Sequence, residues 1–117
     1  MRDLIEQIFE AIDNKDAAGF GAFFTEDAVF RFGNARAVSG KANIENVVSG
    51  FFSNIKGLKH RILDVWLEND VIICAGEVTY TRNDDNKLTL PFVDILRMRD
   101  RLILDYRIYM DISPLFT

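Results

Sequence analysis

The stretch "LPFVDILRM", Leu90 to Met98, predicts a buried β-strand that carries one acid among apolar side chains. Side chains alternate across a strand, so Phe92, Asp94 and Leu96 share one face. A buried charge is costly unless it is paired, and a lone carboxyl can instead stay protonated. We therefore expect Asp94 either to bond a neighbour for structural reasons or to present an acid to a ligand.

Three more strand-like segments accompany this one, and short polar turns separate all of them. They are rich in valine, isoleucine, tyrosine and phenylalanine, as strands are. Consecutive strands joined by short turns form an antiparallel meander. The segments are "LKHRILDVWLE" (58–68), "VIICAGEVTYTR" (71–82), "KLTLPFVDILRM" (87–98) and "LILDYRIYMDI" (102–112).

The first half of the chain has the periodicity of helices. "DNKD", residues 13–16, ends the first helix, and Asp16 can cap a short second helix. That second helix would present Phe20, Phe23 and Phe24. The apolar stripe of the first helix consists of Leu4, Ile5, Ile8, Phe9 and Ile12.

A small hairpin and a third helix complete the predicted elements. "AVFRFGNARAV", residues 28–38, alternates polar and apolar side chains around a turn. Ser39 is the predicted cap of the third helix. Helices on one face of a curved antiparallel sheet make a cone-shaped α+β domain. The amphipathic residues of the third helix are Ile44, Val47, Val48, Phe51 and Phe52.

The composition is typical of one globular domain over residues 1–117. Hydrophobic residues make up 49% and charged residues 27% of the chain, which argues against disorder. The net charge of -4 disfavours nucleic-acid binding, because an acidic surface repels phosphates. Ten phenylalanines indicate either a bulky core or a cavity with an aromatic lining.

Cys74 is the only cysteine, so the chain can form neither an internal disulfide nor a cysteine-based metal site. No His, Asp or Glu cluster has metal-ligand spacing, and we expect neither metal nor cofactor. The N-terminal "MRDLIEQIFE" mixes charges with apolar residues, unlike a signal peptide or a membrane span. We therefore expect a cytoplasmic protein without a membrane partner.

The turns set the expected surroundings of Asp94. Pairing of the last two strands through the turn at 99–101 would place Asp94 opposite Tyr106 and diagonal to Ile108. The preceding hairpin would bring Gly76 or Ala75 to its other side. On this register Asp94 faces the interior of the cone, although a β-bulge at either turn would shift the pairing.

Three other side chains, those of His60, Tyr80 and Trp66, are candidates for the pocket or the core. His60, the only histidine, alternates in phase with Ile62 and Trp66, and it can face the cone as a general base or lie at an exposed strand end. Tyr80 can donate a hydrogen bond to a ligand or be a core residue with a bonded hydroxyl. Trp66 is most simply a core residue.

The order of elements resembles the nuclear transport factor 2-like superfamily, and its SnoaL-like branch most of all. The resemblance is carried by "FFTEDAVFRF" (23–32) and "LPFVDILRMRDRLILDYRIYMDISPL" (90–115) and covers nearly the whole chain. It implies a cone-shaped, cystatin-like fold with a ligand pocket, often in a homodimer. Members include ketosteroid isomerases, epoxide hydrolases, polyketide cyclases and non-enzymatic binders, so the fold alone does not choose a function.

The resemblance can be carried over only residue by residue. Asp94 matches the oxyanion-binding acid of the isomerase branch. That branch also has a tyrosine and a general-base carboxylate, which align here with Ile8 and Phe32. The acid of the cyclase and epoxide hydrolase branches falls at Ile108. All three positions are apolar here, so the isomerase mechanism lacks its base and one of its two donors, and the cyclase and hydrolase mechanisms lack their acid.

Two functions follow from these observations. The first is the binding of a small hydrophobic oxygenated molecule, with isomerase-like or lyase-like chemistry in which Asp94 is the acid and His60 the base. Tyr80, Phe32, Phe92, Ile108 and Tyr106 would contact the ligand. The second is a non-catalytic module whose cone is filled by Phe9, Phe23, Phe30, Phe32, Phe51 and Phe92. In either case the half-apolar outer face of the sheet predicts a homodimer.

Overall fold

The chain folds in the predicted order of helices, hairpin, helix and four strands. The structure is a computed structural model, and it describes residues 1–116. Its helices are α1 (Arg2–Asp13), α2 (Ala17–Gly21) and α3 (Lys41–Ser53), and a final 3-10 helix spans Ser113–Phe116. Its strands are β1 (Phe24–Phe32), β2 (Val38–Ser39), β3 (Gly57–Glu68), β4 (Val71–Thr81), β5 (Lys87–Arg99) and β6 (Leu102–Tyr109).

The strands form one sheet in the order β2-β1-β6-β5-β4-β3. The last four make the predicted antiparallel meander. β1 pairs with β6 in parallel, which the sequence did not indicate, and Phe30 lies beside Tyr106 in this pairing. The parallel pair adds the hairpin to the meander, so that a single curved sheet faces the helices.

The core lies between the helices and the inner face of this sheet. The predicted stripe of α1 is buried throughout, from Leu4 to Ile12. Asp16 caps α2 as predicted, since its Oδ1 accepts a hydrogen bond from the Gly19 amide at 2.9 Å. α2 is only five residues long, however, and Phe24 is the first residue of β1 rather than part of a helix.

The predicted cap of α3 is wrong. Gly40 stands at the N-cap position, and Ser39 belongs to β2, where it pairs with Val29. The Gly40 amide donates to the carbonyl oxygen of Ala28 at 2.8 Å, which ties the helix start to the hairpin. This close connection uses a φ of 93°, a conformation that glycine adopts readily and serine does not.

A two-residue turn in place of the predicted turn at 99–101, together with a bulge between β5 and β6, displaces the predicted register by two residues. Asp94 pairs with Ile108, and Tyr106 pairs with Leu96, so Tyr106 is the diagonal neighbour of Asp94 rather than the opposite one. Cys74 lies on the other side of Asp94, in place of the predicted Gly76 or Ala75. The displacement amounts to an even number of residues, so Asp94 still faces the cone.

A second bulge, between β3 and β4, turns Trp66 outward. The register shifts between Ile62 and Asp64, which places Trp66 opposite Ile73 on the outer face. Trp66 is 52% exposed, so its prediction as a core residue is wrong. The bulge breaks the simple alternation from which that prediction was made.

Among residues 1–116, no helix combines the length and the apolar character that a membrane crossing requires.

Candidate functional site

The interior of the cone holds a cavity of about 270 Å³. Several phenylalanines that were expected to fill the cone instead line this space, among them Phe30, Phe32 and Phe51. These rings therefore leave part of the cone open. All the predicted site residues line the cavity: Asp94, His60, Tyr80, Phe32, Phe92, Ile108 and Tyr106.

Asp94 is buried and only partly hydrogen-bonded. Its side chain is 2% exposed, and the Tyr106 hydroxyl donates to its Oδ2 at 2.6 Å. Its Oδ1 has no hydrogen-bond partner within residues 1–116. Burial raises the pKa of Asp94 to about 7, against the opposing effect of the Tyr106 hydrogen bond. Near neutral pH the group can therefore be a neutral acid, and its buried Oδ1 has a hydrogen-bonding capacity that no described residue uses.

Tyr106 is a fixed donor for this acid. Its ring packs against Phe20 and Phe30, with centroid distances of 5.7 Å to each. Burial and the neighbouring Asp94 carboxyl raise the pKa of the Tyr106 phenol, so the hydroxyl keeps its proton. The aromatic packing holds the hydroxyl in place, and Tyr106 thereby orients the carboxyl of Asp94.

His60 is held by a carboxylate that the sequence analysis missed. Its Nδ1 lies 2.6 Å from Asp13 Oδ1, and its backbone amide donates to both oxygens of Asp13 at 3.1 Å. Because a carboxylate only accepts, it selects the imidazole tautomer with the proton on Nδ1. Nε2 then keeps its lone pair and is the nitrogen that can take a proton.

The position of Asp13 at the end of a helix could have identified it in the sequence as a residue with a tertiary partner. It is the last residue of α1, where the helix macrodipole disfavours a negative charge. An acid at this position therefore needs another partner, and the structure supplies His60 and, at 3.8 Å, the Lys59 ammonium group. The sequence analysis treated Asp13 only as part of a helix break.

Phe92 lies between the two titratable groups of the cavity. It follows the same inward alternation as Asp94, two residues away, and its ring centroid is 5.2 Å from that of His60. Phe9 contacts the other side of the imidazole, with a centroid distance of 4.9 Å. In residues 1–116 no hydrogen bond joins His60 to Asp94. The acid and the base line one cavity, with no hydrogen bond between them.

Tyr80 is buried beside this space with only a weak partner. It is 2% exposed, and its hydroxyl donates to the Met110 sulfur at 3.8 Å. Thioether sulfur is a poor acceptor, so a ligand oxygen can compete for this donor. Burial, followed by the charge of Asp94, raises the pKa of Tyr80, and the hydroxyl remains a donor.

No group of three or more metal-ligating side chains occurs within residues 1–116.

Comparisons with known proteins support this assignment of the fold. The model of the SnoaL-like domain family matches residues 5–106. No protein of curated function matches the chain significantly.

Solved structures of the same shape are similar in fold but distant in sequence. A hypothetical protein of ketosteroid isomerase-like fold from Catenulispora acidiphila, in complex with trimethylamine, has a TM-score of 0.88 at 14% identity, over 96% of this chain and 88% of its own. A putative SnoaL-like polyketide cyclase from Jannaschia has a TM-score of 0.79 at 16% identity, over 97% and 89%. An LEH-like epoxide hydrolase from M. tuberculosis has a TM-score of 0.81 at 14% identity, over 97% and 84%. These similarities confirm the predicted α+β cone.

Proposed function

We propose that this chain, which belongs to the SnoaL-like domain family, binds a small hydrophobic oxygenated molecule in its cone and transfers a proton on it. The observation that carries the proposal is one apolar cavity lined by both a buried acid with an unbonded oxygen and a carboxylate-bound histidine. The reaction class is isomerase-like or lyase-like, with the acid and the base supplied by the protein.

The first step forms an enol from a carbonyl ligand. Protonated Asp94 donates from Oδ1 to the carbonyl oxygen, while His60 Nε2 removes a proton from the adjacent carbon. The electrons of the broken C–H bond form a C=C bond, and the carbonyl oxygen takes the proton of Asp94. Asp13 stabilises the imidazolium that results, since its carboxylate accepts from Nδ1.

The second step decides between the two reaction classes. In an isomerisation, His60 returns its proton to a more distant carbon of the conjugated enol, the carbonyl re-forms and Asp94 recovers its proton. In an elimination, the enol expels a β-hydroxyl group, which takes the proton of His60 and leaves as water. Both sequences restore the starting protonation of Asp94 and His60.

Exchange of ligand protons for deuterium tests the shared first step without knowledge of the product. We expect the protein to accelerate exchange next to the carbonyl of single-ring ketones in D₂O, observed by proton NMR. His60→Gln should reduce this rate by roughly 10²-fold or more, because general-base catalysis contributes that much. Asp94→Leu should also reduce it. Unchanged exchange in both variants would refute the proposed acid and base.

A second candidate is binding without catalysis. It is favoured by the apolar residues Ile8, Phe32 and Ile108, which stand where the related enzymes carry catalytic groups. Saturable binding of a ketone, together with no acceleration of exchange by the wild-type protein, would support this candidate over the enzyme.

We also propose that the protein forms a homodimer through the outer face of the sheet. Trp66, Ile73 and Ile95 lie side by side across β3, β4 and β5. Trp66 is 52% and Tyr109 50% exposed on this face. Exposed aromatic and aliphatic side chains in one contiguous patch are characteristic of protein interfaces.

A further inference from the structure

The volume of the cavity limits the size of its ligand. An engineered apolar cavity of about 150 Å³ holds one benzene molecule. At the same volume per atom, the 270 Å³ of this cavity accommodates roughly eleven non-hydrogen atoms. Such a ligand has a single ring with small substituents. A fused four-ring ligand needs about twice this space.

Three aromatic rings set that limit on the solvent side. Phe32 at the end of β1 lies 5.2 Å from Phe51 of α3, and Phe51 lies 5.9 Å from Tyr80 of β4, measured between ring centroids. Phe32 and Phe51 are half-buried, whereas Asp94 and Tyr106 are fully enclosed. Phe32 and Phe51 therefore lie nearer the open side of the cavity than the acid does, and their rings narrow the cavity there.

The polar groups of the cavity discriminate between ligands by their charge. None of its described lining residues is a lysine or an arginine, and the imidazole of His60 is already paired with the Asp13 carboxylate, so a carboxylate or phosphate would find no unpaired cation. The unbonded oxygen of Asp94 would repel an anion and can donate to a neutral oxygen when protonated. Aromatic faces beside a carboxyl could also attract an organic cation. Burial favours the neutral acid, and hence a neutral ligand.

We infer that the ligand is a neutral single-ring compound with a carbonyl or hydroxyl oxygen, and that Phe32 excludes fused-ring ligands from the cone. This inference rests on the proposed function, since it assigns the ligand class of the same cavity. Phe32 acts here by occupying volume and has no part in the proton transfer.

Titration calorimetry with two enones tests the size limit. Carvone is a single-ring enone, and androstenedione is a four-ring one. We expect carvone to bind the wild-type protein saturably and androstenedione not to bind. Phe32→Ala should shift the relative affinity toward androstenedione by roughly tenfold or more, because pocket volume discriminates by that amount. Phe23→Ala is the matched control, since Phe23 is also half-buried but does not line the cavity.

The possible outcomes separate this inference from the proposed function. Equal binding of both enones to the wild type, or an unchanged preference in a folded Phe32→Ala variant, would overturn the size limit alone. If a protonated single-ring amine bound more tightly than carvone, the neutral ligand would be overturned. Failure of every probe to bind the wild type would overturn the binding function itself. Circular dichroism of each variant verifies that it is folded.

Discussion

Replacement of Asp94 by asparagine should remove most of the pH dependence of stability between about pH 4 and pH 8. The pKa of this carboxyl is about 7 in the folded chain and 3.8 in its ordinary range. Between these values the unfolded chain has released a proton that the folded chain still holds. Stability is therefore fully present below the unfolded pKa and falls as the pH rises to about 7.

The size of this effect follows from the interval between the two values. At about 1.36 kcal/mol for each pH unit, the wild-type protein should lose about 4 kcal/mol of unfolding free energy over the range. That loss is a large part of the unfolding free energy of a typical domain, which is roughly 5–15 kcal/mol. Asparagine has no proton to release, so the variant should lack this loss. Its amide nitrogen would be unpaired, at a cost of about 1–3 kcal/mol at every pH.

Urea denaturation followed by far-ultraviolet circular dichroism measures these free energies, at one protein concentration and in steps across the pH range. Asp100→Asn is the control, because Asp100 is an exposed carboxylate in a turn whose left-handed φ of 58° also suits asparagine. The control should follow the wild-type curve. Parallel pH curves for the wild type and Asp94→Asn would show that Asp94 is ionised in the fold, and the neutral pocket acid would have to be abandoned.

Three further outcomes are expected. Tyr106→Phe should raise the pKa of Asp94 further, because it removes a hydrogen bond that stabilises the carboxylate. Carbon NMR of labelled aspartate measures this pKa, and a lower value in the variant would contradict the prediction. Asp13→Asn should slow deuterium exchange by roughly tenfold or more without changing the affinity for carvone, because Asp13 acts through His60. Equal losses of exchange rate and carvone affinity would indicate that Asp13 has only a structural role. Trp66→Glu should convert the proposed dimer to a monomer in sedimentation velocity. Leu102→Glu should not, because Leu102 is an exposed leucine at the very start of β6, next to the turn. A wild-type monomer would reject the dimer.

The sequence predicts most of the architecture because its signals are local. The periodicity of α1, the short polar turns and the alternation along β5 each follow from neighbouring residues. The prediction that Asp94 faces inward was correct, because a strand residue changes faces only when the register shifts by an odd number of residues. The parallel pairing of β1 with β6 has no local signal, since the two strands lie about 75 residues apart in sequence and no turn joins them.

The failures occur where tertiary contacts decide the local structure. The bulge near Leu63 reverses the expected direction of Trp66, and no residue type in that strand marks it. The contact between Asp13 and His60 depends on how the end of α1 meets β3. Seven of the twenty residues that line the cavity were predicted, mainly because they share inward strand faces. The open volume of the cavity depends on how closely the rings approach each other, which no sequence pattern gives.

The bulge in β6 protects the interior of the cone against the loss of one residue. Met98 pairs with Ile103 and Arg97 with Asp105, so Leu104 is the extra residue. Ile103 and Tyr106 both face the core although they are three positions apart, because the bulge inserts one residue into the alternation. If the codon for Leu104 were deleted and the turn kept, β6 would become a regular strand in which Leu96 still pairs with Tyr106 and Asp94 with Ile108. A lineage could thus lose Leu104 without turning Tyr106 away from Asp94.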